Sequence, residues 1–151
     1  MVAFVRAAAR RRRASRVERL FDRTMHRILL REVVIDTPTE TFDVTRDFWA
    51  AALGADARQV TEFPEFTGLV EPASRSWVGV QRIGEGPARY HLDIETDDVE
   101  AEVRRLVALG AERVADGRTW AVMRDPAGLM FDVVPAESPW FEEHAREVGD
   151  D

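Results

Sequence analysis

The stretch Tyr90–Pro135, YHLDIETDDVEAEVRRLVALGAERVADGRTWAVMRDPAGLMFDVVP, decides the fold. YHLDIET alternates, with Leu92 and Ile94 on one side and His91, Asp93 and Glu95 on the other, as in a strand with one face on a core. Asp97 or Asp98 caps a helix in which Val99, Val103, Leu106, Val107 and Leu109 share a face, and Gly110 ends it. AERVA, RTWAVMRD and LMFDVVP read as three further strands, and Asp125-Pro126-Ala127-Gly128 makes the tight turn between the last two.

A weaker copy of the same unit precedes it. LLREVVIDT alternates, with Val33 and Ile35 opposite Glu32, Val34 and Asp36. TETFDVTRDFWAAALG has helical spacing, a cap at Thr39 or Thr41, and Gly54 at its end. Strands are expected at Arg58–Glu62, Phe66–Val70 and Ser76–Arg82, the last with Val78 and Val80 opposite Trp77, Gly79 and Gln81. Leu53-Gly54-Ala55 matches Leu109-Gly110-Ala111 at an offset of 56, and Glu32 matches His91 at 59. Two such copies are an internal duplication and not a solenoid. The chain thus divides into a basic helical extension, 1–28, a duplicated domain, 29–135 (modules 29–83 and 89–135), and an acidic tail, 136–151.

Composition narrows the classes. A chain of 151 residues with 45% hydrophobic content suits one domain around one core. Without cysteine there is no disulfide framework, zinc–thiolate site or cysteine nucleophile. No apolar run approaches the ~20 residues that span a bilayer, and a cytoplasmic location is expected. Residues 1–31 hold ten arginines against two acids, a net +8, whereas the remainder holds 11 arginines against 26 acids, −15. The acidic body would repel nucleic acid, so the arginine-rich arm is the segment suited to anionic surfaces, or else is a solvated appendage. Ile83-Gly84-Glu85-Gly86-Pro87-Ala88 has two glycines but no strand-to-helix context for a phosphate loop, so no nucleotide cofactor is expected.

The duplicated strand-helix-strand-strand-strand pattern, with HLDIETDDVEAEVRRLVALGA and the DPAG-x-x-F-D-V-V-P ending, resembles the vicinal oxygen chelate superfamily, and within it the glyoxalase-like, bleomycin-resistance-type domains. The resemblance implies an α+β fold: two βαβββ modules forming a cupped, eight-stranded mixed sheet with helices outside. It also implies metal ligands on the first and fourth strands of each module: Glu32 and Gln81 from the first, His91 and Asp132 from the second. The alternation agrees, because each of the four lies opposite the apolar side of its strand. One imidazole, two carboxylates and one amide suit a divalent ion with N/O coordination and open positions.

Two functions follow as expectations. One is a divalent-metal-dependent lyase or isomerase acting on a small oxygenated molecule through an enolate-like intermediate, with Asp132 or Glu32 moving the proton. The other is a metal-free protein that sequesters a small molecule in an acidic cup walled by Trp77, Asp93 and Trp120. A crowd of carboxylates on one face favours a metal or a cationic guest over an anionic one. With His26 and His144 in the terminal segments, a Ser-His-Asp or two-histidine iron site is not expected. By analogy with the superfamily, a homodimer is expected.

Overall fold

The computed structural model describes residues 25–70 and 77–149, so most of the basic extension and the last two residues lie outside the described part. The elements run β1 (Met25–Pro38), α1 (Phe42–Leu53), β2 (Asp56–Val60), β3 (Phe63–Val70), β4 (Trp77–Ile83), β5 (Arg89–Thr96), α2 (Val99–Ala108), β6 (Glu112–Asp116), β7 (Ala121–Arg124), β8 (Met130–Pro135), α3 (Phe141–His144) and β9 (Arg146–Gly149). The fold is α+β, with one mixed sheet in the order β2-β3-β4-β1-β5-β8-β7-β6. β1 pairs parallel with β4, β5 pairs parallel with β8, and the modules join where β1 and β5 pair antiparallel. Among the described residues no helix is long and apolar enough to cross a membrane.

Two differences from the sequence reading concern the ends. Residues 25–28, expected to be helical, open β1, and the tail contributes a ninth strand, β9, that pairs antiparallel with them. Helical spacing in an Arg-rich segment is a weak signal, and a partner strand more than a hundred residues away overrides it. Arg27 ties this end down: its side chain bonds Asp97 and Glu142 and lies 5.0 Å from the Phe141 ring centroid.

α2 is capped as its sequence dictates, whereas Thr41 stands at the N-cap of α1 without a side-chain bond to the helix, its hydroxyl being shared with Thr37. The Asp98 carboxylate accepts from the Ala101 N–H at 3.0 Å and caps α2, while Gly54 at φ 62° closes α1 in the left-handed region. Each helix covers its own module on the convex side. Phe42 packs with Ile35, Leu69 and Val80; Val103 packs with Ala121, Met123 and Val133. The seam between the modules lies outside both clusters. Val33, Tyr90 and Leu92, on the face expected to meet helices, are therefore exposed, whereas His91, Asp93 and Glu95 on the concave face are buried. The core is double, and the polar side of β5 is its inner side.

Candidate metal centre in the cup

The concave face holds a cavity of about 410 Å³. Glu32 (β1), Gln81 (β4), His91 and Asp93 (β5), Trp120 in the turn before β7, and Asp132 (β8) all line it. Trp77, also expected there, lines a separate pocket with Trp140. Strand pairing brings the ligand candidates together. Asp93 sits opposite Asp132 across β5–β8 and opposite Glu32 across β5–β1. A bulge between Leu30 and Glu32 turns Arg31 out of register, and its Nε lies 3.1 Å from Glu32 Oε1.

His91, Asp93 and Asp132 form the tight group, each offering a ligand atom within 4.8 Å of the others. His91 Nε2 is 3.4 Å from Asp93 Oδ1 and 3.9 Å from Asp132 Oδ2. The other ring nitrogen, Nδ1, is 3.1 Å from Asp36 Oδ2, an oxygen that also forms an ion pair with Arg89 Nε at 2.9 Å. Asp36 is 2% exposed, so this carboxylate fixes the imidazole plane and aims Nε2 at the two aspartates. Glu32 and Gln81 line the same cavity, but the Glu32 carboxylate stands outside the tight group, beside Arg31.

The electrostatics are those of a crowded anionic site. Burial, and then repulsion from Asp93, push Glu32 up to about 7. Burial followed by Asp93 raises Asp132 to about 6. For His91, burial alone would lower the pKa, but the neighbouring carboxylates of Asp36 and Asp93 outweigh it and lift the value to about 10. The imidazolium therefore stands where a positive charge is wanted. Asp93 Oδ1 is buried and, at 3.4 Å, has no hydrogen bond to the ring or to any other described residue. An orphaned carboxylate oxygen facing an imidazole nitrogen and a second carboxylate is a donor set that fits a divalent cation.

Aromatic rings close the cup. Phe66 lies over Gly79, where an added Cβ would come within 2.2 Å of its ring. Trp120 lies over Gly117 in the same way, at 2.0 Å, and meets Phe63 edge to face at 5.9 Å. Arg118 Nη2 donates to the Glu62 carbonyl at 2.7 Å and rests on the Phe63 ring, so the β6–β7 and β2–β3 hairpin tips touch across the mouth. No local pattern signals this strap, or which of the acids on its face His91 bonds. Asp36 was placed on the correct face by alternation, but its partner depends on strand register.

The model of the glyoxalase-like domain matches residues 32–134, about two thirds of the chain. No match was found among curated proteins. Among solved structures, a Mn(II)-bound glyoxalase from Novosphingobium aromaticivorans is similar at 17% identity and a TM-score of 0.53, over 76% of this chain and 44% of that one. The present chain thus spans less than half the length of that relative. Methylmalonyl-CoA epimerase from Mycobacterium tuberculosis is similar at 16% identity and 0.51, over 76% and 91%. A variant of homoprotocatechuate 2,3-dioxygenase from B. fuscum is similar at 15% and 0.51, over 76% and 34%. Identities this low show a shared fold, which hosts several chemistries. On the family match and the paired βαβββ sheet, the chain belongs to the glyoxalase-like domain family of the vicinal oxygen chelate superfamily.

Proposed function

We propose that this protein is a divalent-metal-dependent enzyme of the lyase or isomerase type, acting on a small molecule with adjacent oxygen atoms. The observation that carries this reading is the convergence of His91, Asp93 and Asp132, with one buried carboxylate oxygen left unpartnered among them. These three residues would hold the cation, which when bound supplies Lewis acidity toward the substrate oxygens. Asp36 holds His91 in the ligating orientation. Glu32, with a pKa near neutrality and a place at the cavity wall, suits transfer of a proton from a carbon next to a carbonyl. Arg31 pairs with the Glu32 carboxylate, and Phe63 and Trp120 give the cup an aromatic wall. The Mn(II) in a structural relative is consistent with an O-rich site of this kind.

Metal analysis of protein purified without chelator tests the reading. Near-stoichiometric divalent metal is expected, lost in His91→Ala and bound about 10- to 100-fold more weakly in Asp36→Asn. Sub-stoichiometric metal unaffected by both substitutions would reject it.

One observation favours the alternative of a metal-free binding protein. An imidazolium paired with Asp36 and Asp93 already balances part of the cup's negative charge. On that reading the aromatic cup sequesters a small molecule without turning it over, and a chelator-treated sample would still be stabilised by its ligand.

A further inference from the structure

The convex side of the sheet carries two bare apolar strips. The first runs along the joint between the modules. α1 packs on Ile35, Leu69 and Val80 and α2 on Ala121, Met123 and Val133, and neither cluster includes a residue of β5. Val33 lies opposite Leu92, and Ile35 opposite Tyr90, across the β1–β5 ladder. Val33, Leu92 and Tyr90 are 36%, 44% and 62% exposed, so they floor a groove between the two helix-covered modules. The second strip is on α1. Val44 and Phe48 are 66% and 61% exposed, and with the exposed Ala51 they share one helix face at i, i+4 and i+7. We propose that this convex side is the contact between two copies of the chain, with the Phe48 ridge of each copy lying in the β1–β5 groove of the other.

Ridge and groove belong to the same side of the same molecule, so each copy supplies both halves of the contact. Such a pair closes with two-fold symmetry, residue 48 meeting residue 92 and residue 92 meeting residue 48. The area is of the right order. The five large side chains leave on the order of 500 Å² of apolar surface, against the ~800 Å² per partner of a standard interface. The strips thus supply most of what a stable dimer buries, and more than a monomer usually leaves uncovered without a function.

Charge points the same way. The chain is 32% charged with a net charge of −7, so two copies repel wherever their acidic surfaces meet. The two strips carry no charged side chain, and the charges elsewhere on α1, Asp43, Arg46 and Asp47, pair with one another. The cup opens on the opposite side of the sheet, so the contact leaves it free and does not depend on the metal reading.

Sedimentation equilibrium on the full chain, in chelator, is the first test. The mass of two chains is expected at micromolar concentration. Phe48→Glu and Leu92→Glu each bring a charge into the contact and should weaken association at least about 100-fold. Leu129→Glu, at an exposed leucine in the turn between β7 and β8, should leave it unchanged. Circular dichroism checks that each variant is folded. The chain has no cysteine, which permits a second test independent of those substitutions. Phe48→Cys chains mixed with Leu92→Cys chains and oxidised should give a mixed disulfide dimer faster than either does with Leu129→Cys chains. A monomer at every concentration, a dimer that both charge substitutions leave intact, or no preference for the 48–92 disulfide would overturn the proposal. A monomer whose Leu92→Cys thiol resists labelling would assign the groove to the chain's own residues 1–24, and so overturn it as well.

Discussion

At the scale of single residues, the site is governed by three groups whose protons are held more tightly in the folded chain than outside it. Glu32 and Asp132 have folded values of about 7 and about 6, against ordinary values of 4.5 and 3.8, and His91 has about 10 against 6.5. A folded state that binds more protons than the unfolded one loses stability as pH rises. For the carboxyls that loss runs from about pH 4 to 7, and for His91 the contribution is complete below pH 6.5 and lost through pH 10. Each carboxyl contributes on the order of 3 kcal/mol and His91 on the order of 5 kcal/mol. The chelated protein should therefore melt at progressively lower temperature from pH 5 to pH 9, by about 2–4 °C for each kcal/mol. Added Mn²⁺ would replace protons at His91 and Asp132, so its stabilising shift should be larger at pH 8 than at pH 6. A melting temperature that rises across that range in chelator would contradict these assignments.

At the scale of elements, the hairpin tips decide what the cup admits. Gly117 and Trp120 belong to one turn, closed by a bond from the Gly117 N–H to the Trp120 carbonyl at 2.9 Å. The indole occupies the space where a side chain at residue 117 would begin. Gly117→Ala should push Trp120 off the cup wall and loosen the contact with Phe63, at a stability cost of about 1–3 kcal/mol. Its signature is a shift in tryptophan emission together with weaker ligand binding, while metal content stays at the wild-type level. Unchanged emission would show that the ring does not rest on Gly117. In the sequence, RTW is legible as the start of a strand and Trp120 as a candidate cup wall, but not the seating of its ring on Gly117. The strap from Arg118 to Glu62 joins elements 56 positions apart, and no local pattern encodes it.

At the scale of the whole molecule, two small hydrophobic clusters support one continuous sheet. Each helix covers its own module, and the joint between modules is the β1–β5 ladder with its bulge at Arg31. Met123 is fully buried in the second cluster, together with Val133 and Ala121. Met123→Ala should cost about 2–5 kcal/mol in urea unfolding. Because the shared sheet couples the clusters, the transition should remain single, with the fluorescence of Trp49 in the first module and the far-UV signal changing together. Two separate transitions would mean that the modules unfold independently.

The sequence by itself determined the duplicated strand-helix-strand-strand-strand plan, the Asp98 cap, the glycine at the end of α1 and the Asp125 turn, and the face on which Glu32, Gln81, His91 and Asp132 stand. These follow from a period of two in strands and 3.6 in helices, which side chains obey locally. Only the tertiary structure decided which of those side chains meet. Register placed Asp93 opposite Asp132 and put it in the tight group, while the bulge left Glu32 beside Arg31. Pairing of β9 with the start of β1 likewise turned an expected helix end into strand and opened the pocket that Trp77 lines in place of the cup. Alternation fixes a side chain's face, but the distance between ligand atoms on different strands depends on pairing, twist and bulges, and these are set by contacts far apart in the chain.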